Sequence, residues 1–129
     1  MREILFRGKR KAGDYWMIGD LRQWSSKRKG ILDYSFGGTS EVYIETIGQF
    51  TGLTDKNGKK IFEGDVVSVK IGGLKRRGVV FYEDTATRFG LAIGTEKNFS
   101  FLGRQMAKTY EAEVIGNVHD NPELLEVNA

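Results

Sequence analysis

Phe50-Thr51-Gly52-Leu53-Thr54-Asp55-Lys56-Asn57-Gly58-Lys59-Lys60-Ile61-Phe62 decides the fold of this chain. Residues suited to strands flank an Asn-Gly pair. Both members of that pair tolerate positive φ, which the two central positions of a type I′ hairpin turn require. The stretch therefore reads as two antiparallel strand ends joined at Asn57-Gly58.

The same pattern extends in both directions. Downstream, Val66-Val67-Ser68-Val69-Lys70-Ile71 alternates apolar and polar residues over its second half, as a half-buried strand does. Gly72-Gly73 turns the chain, and residues 78–82 return as a second hairpin. Residues 89–93 and 99–102 read as further short strands, and 111–118 as the last long one. Upstream, residues 3–7 form a short apolar run bounded by charge, residues 8–14 a basic turn, and residues 15–21 a strand pairing back. Residues 41–44 and 46–50 are rich in β-formers.

Between them the pattern fails. Residues 22–40 hold Ser25-Ser26-Lys27-Arg28-Lys29-Gly30 and Gly37-Gly38, and read as a long mobile loop with a short strand around 31–34. The chain closes with Asn121-Pro122-Glu123-Leu124-Leu125. Asn121 is suited to cap exposed amides, and Pro122 to the first helical position, so a short helical turn is expected.

Seventeen glycines against one proline fit many short strands joined by glycine turns. With 129 residues, the expectation is a single domain over 1–129. Its class is mainly β: a small barrel-like or rolled antiparallel sheet with a short C-terminal helical turn. The absence of cysteine excludes disulfides and thiolate chemistry. No apolar run approaches the ~20 residues of a membrane span, and the first residues lack a signal-peptide core. A cytoplasmic, non-membrane protein is expected. Charge is unevenly spread: residues 1–30 carry nine Lys/Arg against three Asp/Glu, and residues 105–129 one Lys against five Asp/Glu.

Beyond these readings, the chain resembles the YopX family of phage and prophage proteins. The resemblance rests on Arg2-Glu3-Ile4-Leu5-Phe6-Arg7-Gly8, on Thr51-Gly52-Leu53, Asp55-Lys56-Asn57-Gly58 and Glu63-Gly64-Asp65-Val66-Val67, and on Glu113-Val114-Ile115-Gly116-Asn117 with the residues that follow. It is loose over 22–40 and 84–110. It implies a mainly β, barrel-like domain of bacteriophage or prophage origin that sits in the host cytoplasm and self-associates. It implies no reaction, cofactor or catalytic residue.

The residues agree on that last point. His119 is the only histidine and has no nucleophile-elbow context to serve. Asp55-Lys56-Asn57-Gly58 lacks the glutamate that closes a calcium loop, because Val66 stands at that position. Gly52 to Lys60 has the wrong spacing for a phosphate loop. Glu63 and Asp65 read as acceptors for turn amides rather than as a catalytic pair. No catalytic, cofactor or metal residue is assigned. Two basic clusters remain, Lys27-Arg28-Lys29 and Lys75-Arg76-Arg77, with Trp24 and Tyr34 near the first and Phe81 and Tyr82 near the second. Basic residues interleaved with aromatics suit single-stranded nucleic acid on a small barrel. They equally suit solvated edges that deter sheet-to-sheet association. The expectation is a non-enzymatic, self-associating protein-interaction module that binds a phage or host protein. The alternative is a sequence-nonspecific nucleic-acid-binding module.

Overall fold

The structure, a computed structural model, describes residues 3–35, 37–84, 87–93, 96–101 and 103–125, with the backbone alone over 96–101. Leu102, at the end of one expected strand, lies outside the described residues. The protein is mainly β and antiparallel, as its sequence implies. The structure divides it into two compact units, Met1–Gly52 and Leu53–Ala129, each around its own apolar cluster.

The first unit contains β1 (Phe6–Lys9), β2 (Trp16–Gln23), β3 (Lys29–Asp33), β4 (Gly38–Val42), a 3-10 turn at Ile44–Thr46, and β5 (Gly48–Thr54), whose last residues enter the second unit. The strands lie in the order β4-β3-β2-β1-β5. The sheet rolls. The end of β4 returns to the residues after β1, where the Tyr43 N–H bonds Lys9 O at 2.9 Å and the Lys11 N–H bonds Glu41 O at 3.0 Å. Gly8 makes the approach feasible, since a Cβ there would lie 2.8 Å from Val42 Cγ2. Met17, Ile31 and Val42 are the buried centre, with Phe6, Leu21 and Ile47 packed against them. This is the rolled form of the expected architecture rather than a closed barrel.

The interior of 22–40 needs correction. It is not one irregular loop. β3 and the start of β4 lie within it and pair from Lys29↔Val42 to Asp33↔Gly38. The period-two signal is hidden because Gly30 faces the Trp24 ring, 2.7 Å from where a Cβ would stand. A glycine beside Ile31, on the face opposite the core, leaves no side chain to show the alternation.

The second unit holds β6 (Lys60–Phe62), β7 (Asp65–Ile71), β8 (Leu74–Glu83), β9 (Arg88–Ile93), β10 (Glu96–Phe101), α1 (Arg104–Thr109), β11 (Glu113–Asn117) and a 3-10 turn at Pro122–Leu125. Its five-stranded sheet has the order β10-β9-β8-β7-β11. Ile61, Val67, Val69, Val80, Leu91, Ile93, Ala107 and Ala112 form the buried cluster. α1 was not expected. It ends in a Schellman motif, in which the Ala112 N–H bonds Ala107 O at 2.9 Å and the Glu111 N–H bonds Lys108 O at 3.3 Å. The left-handed position carries Glu111, at φ 50, where glycine is the usual choice.

The turns expected at Asn57-Gly58 and Gly72-Gly73 both exist, but their types differ. Gly72 and Gly73 have φ of 58 and 82, and Ile71 faces Leu74, so this is the hairpin with two positive-φ residues. At Asn57-Gly58 only Gly58 has positive φ, 82. The Gly58 N–H bonds Asp55 O at 3.0 Å and the Asp55 N–H bonds Lys59 O at 2.8 Å. That is a three-residue loop with a left-handed glycine, not a type I′ turn. The expected C-terminal helical turn is present at Pro122–Leu125, but its cap differs. Asn121 Oδ1 accepts from the Asn117 N–H at 3.2 Å, and it is the Asn121 carbonyl that accepts from the Leu124 N–H at 3.0 Å.

Candidate functional site

Asp55 explains the altered turn. Its Oδ1 accepts from the Asn57 N–H and the Lys59 N–H, both at 2.9 Å, and its Oδ2 accepts from the Val114 N–H at 2.9 Å. The residue is only 7% exposed. Burial alone pushes its carboxyl up. The N–H bonds from Val114, Lys59 and Asn57, with the nearby Lys59 charge, outweigh burial and hold it below the ordinary aspartate value. Asp65, 1% exposed, accepts from the Phe62 N–H at 2.7 Å, as the sequence reading of that acid as a turn acceptor requires. These acids fasten backbone. His119 stands in the turn after β11, where the His119 and Asp120 N–H groups both donate to Asn117 Oδ1, at 3.0 and 2.9 Å.

The two basic clusters fall in different units and have different surroundings. In the first unit, Lys27 and Arg28 lie in the turn between β2 and β3, and Lys29 begins β3. Arg28 is engaged. Its guanidinium meets Glu41 at 3.1 Å and lies 5.4 Å from the centre of the Trp24 ring. Lys11 reaches the same Glu41 at 2.9 Å. Hydrogen bonds from Arg28 and then Lys11 hold the Glu41 carboxyl below its ordinary range. Trp24 is thus already the platform for Arg28.

In the second unit, Lys75, Arg76 and Arg77 open β8, and all three are exposed. Register shows how they are arranged. Lys70 faces Lys75, Val69 faces Arg76 and Ser68 faces Arg77. Directly opposed residues share a face. Lys70, Lys75 and Arg77 therefore lie on one face of the β7–β8 ribbon, and Arg76 on the face of buried Val69. The aromatics expected to accompany this cluster serve the fold instead. Phe81 lies over Gly90, where a Cβ would come within 2.6 Å of its ring, and Tyr82 meets Phe89 edge-on with ring centres 5.1 Å apart.

On the Lys70 face, a cleft of about 170 Å³ is lined by Ser68, Lys70, Lys75, Lys56, Glu111 and Glu113. Glu113 is already bonded to Lys56 at 3.5 Å and to the Asn57 side-chain amide at 3.4 Å. Lys70, Lys56 and the two glutamates were not singled out from sequence. The only available signal was the alternation within 66–71, which already placed Lys70 on the solvent side of its strand.

Among the described residues, no helix is long and apolar enough to cross a membrane. No curated protein matches the chain. The crystal structure of protein EF1440 from Enterococcus faecalis is similar over 98% of this chain and 100% of that chain, with a TM-score of 0.59 and 25% sequence identity. The YopX family model matches residues 5–126, nearly the whole length, and the chain belongs to the YopX family.

Proposed function

We propose that this protein is a phage- or prophage-encoded, non-enzymatic interaction module of the bacterial cytoplasm that self-associates and binds a phage or host protein. One observation carries the reading: the balance of apolar residues in the first unit. Its apolar cluster is centred on Met17, Ile31 and Val42, whereas Tyr34 is 77% exposed, Ile4 59% and Trp24 51%. A unit of about fifty residues is marginal on its own core. Covering its outward aromatics in an assembly adds buried apolar surface, at about 25 cal/mol per Å². β10, an edge strand of the second unit's sheet, offers further backbone donors and acceptors for pairing. The family membership supports the phage origin and the cytoplasmic setting.

Light scattering coupled to gel filtration tests the reading. A mass at or above twice the 14.5 kDa of the chain is expected at micromolar concentration. A monomer alone would overturn it. A second reading, nucleic-acid binding, is favoured by the exposed cations of the β7–β8 ribbon.

A further inference from the structure

We infer that the Lys70 face of the β7–β8 ribbon is a contact surface for the phosphate backbone of a nucleic acid. This deepens the second reading above, and its failure leaves self-association untouched.

The first observation is the register. Lys70 and Lys75 stand directly opposite each other, an arrangement that is repulsive unless an anion lies between them. No ion pair to Lys70, Lys75 or Arg77 exists among the described residues. The cations elsewhere show the contrast: Lys11, Arg28, Lys56 and Arg88 each have a carboxylate within 4.0 Å. The second observation is the cleft of about 170 Å³ at the foot of that pair, with the Ser68 hydroxyl as a further donor.

Spacing points to a polymer. Lys75 and Arg77 are two residues apart on one strand, roughly 7 Å. Lys70 lies about 5 Å across from Lys75. The three cations form a row on one face, along which successive phosphates of one strand can lie. The mode follows from the aromatics. Phe81 lies over Gly90 and Tyr82 packs edge-on with Phe89, so both already serve the fold. Contacts are to phosphate, without base preference. In the other basic cluster, Arg28 is already paired with Glu41, so the surface is assigned to the second-unit cations alone.

Fluorescence anisotropy with the full chain tests this, using labelled single-stranded and duplex DNA of random sequence. With three phosphate contacts, affinity should fall roughly 40-fold for duplex and about 20-fold for single strand between 50 and 200 mM salt. The triple variant Lys70→Gln/Lys75→Gln/Arg77→Gln should weaken binding at least tenfold at 50 mM salt and flatten the salt slope by about 2–3. Arg76→Gln, on the other face, should cost less than any one of those three. Lys27→Gln/Lys29→Gln should change binding less than twofold. Glu111→Gln should tighten it by removing a charge from the cleft wall. Circular dichroism melts establish that each variant is folded. Absence of binding at 50 mM salt would overturn the inference. So would equal losses in the triple variant and the Lys27/Lys29 control, which would mark general charge attraction. Equal affinity for polyglutamate would show that the surface takes acidic protein instead.

Discussion

Replacing Asp55 with alanine should be among the most damaging single changes in the second unit. The carboxylate satisfies the N–H groups of Asn57, Lys59 and Val114, each at 2.9 Å, at a site that is 7% exposed. Each donor left buried and unbonded costs about 1–3 kcal/mol. Water will reach some of the turn amides, so the sum is about 3–5 kcal/mol rather than the maximum. Asn at this position keeps one acceptor oxygen but turns an amide donor toward an N–H, and should cost about 2 kcal/mol. The pH dependence has a definite sign. The folded carboxyl titrates below its unfolded value, so its contribution is fully present above the ordinary aspartate pKa of about 4. It is lost as pH falls from there through the lower folded value. Urea titrations at pH 7 and pH 3 measure both effects, and amide exchange at Lys59 and Val114 localises them. The wild type should lose stability over that range, and Asp55→Ala should lose less. An Asp55→Ala variant within ~0.5 kcal/mol of wild type at pH 7 would refute the reasoning.

Gly58→Val forces a β-branched residue to φ 82 and should destabilise by about 1 kcal/mol or more, read by thermal melting; an unchanged midpoint would count against the turn described. Glu111→Gly should do the reverse, raising stability by about 1 kcal/mol, because the left-handed cap at φ 50 suits glycine; a lower melting temperature would contradict it. Limited trypsin digestion should cut first in the exposed turn between β2 and β3, after Lys27 or Arg28, and a first cut within 60–82 would oppose this.

Local signals were legible and distant partners were not. Gly72-Gly73 and Asn57-Gly58 each mark a turn in the sequence. The type of the second turn depends on Asp55, whose carboxylate also reaches the Val114 N–H across 59 positions. Asn121 looked like a helix cap because composition cannot show that its side chain turns back to the Asn117 N–H. α1 spans six residues, too short for a 3.6-residue period to stand out, and it stops at a glutamate rather than a glycine. For the candidate site, Lys75, Arg76 and Arg77 were visible as a cluster. That Lys70 joins them, and that Arg76 points to the other face, follows only from the β7–β8 register. Arg28 looked equally available, but Glu41 claims it once β3 and β4 pair.

Sedimentation velocity of the wild type beside a Trp24→Ser/Tyr34→Ser variant tests the central claim, that the outward aromatics of the first unit drive self-association. Both side chains are more than half exposed, so the variant should fold as the wild type does. The expected result is an assembly for the wild type at micromolar concentration and a monomer for the variant. A monomeric wild type, or a variant that sediments as the same assembly, would contradict it.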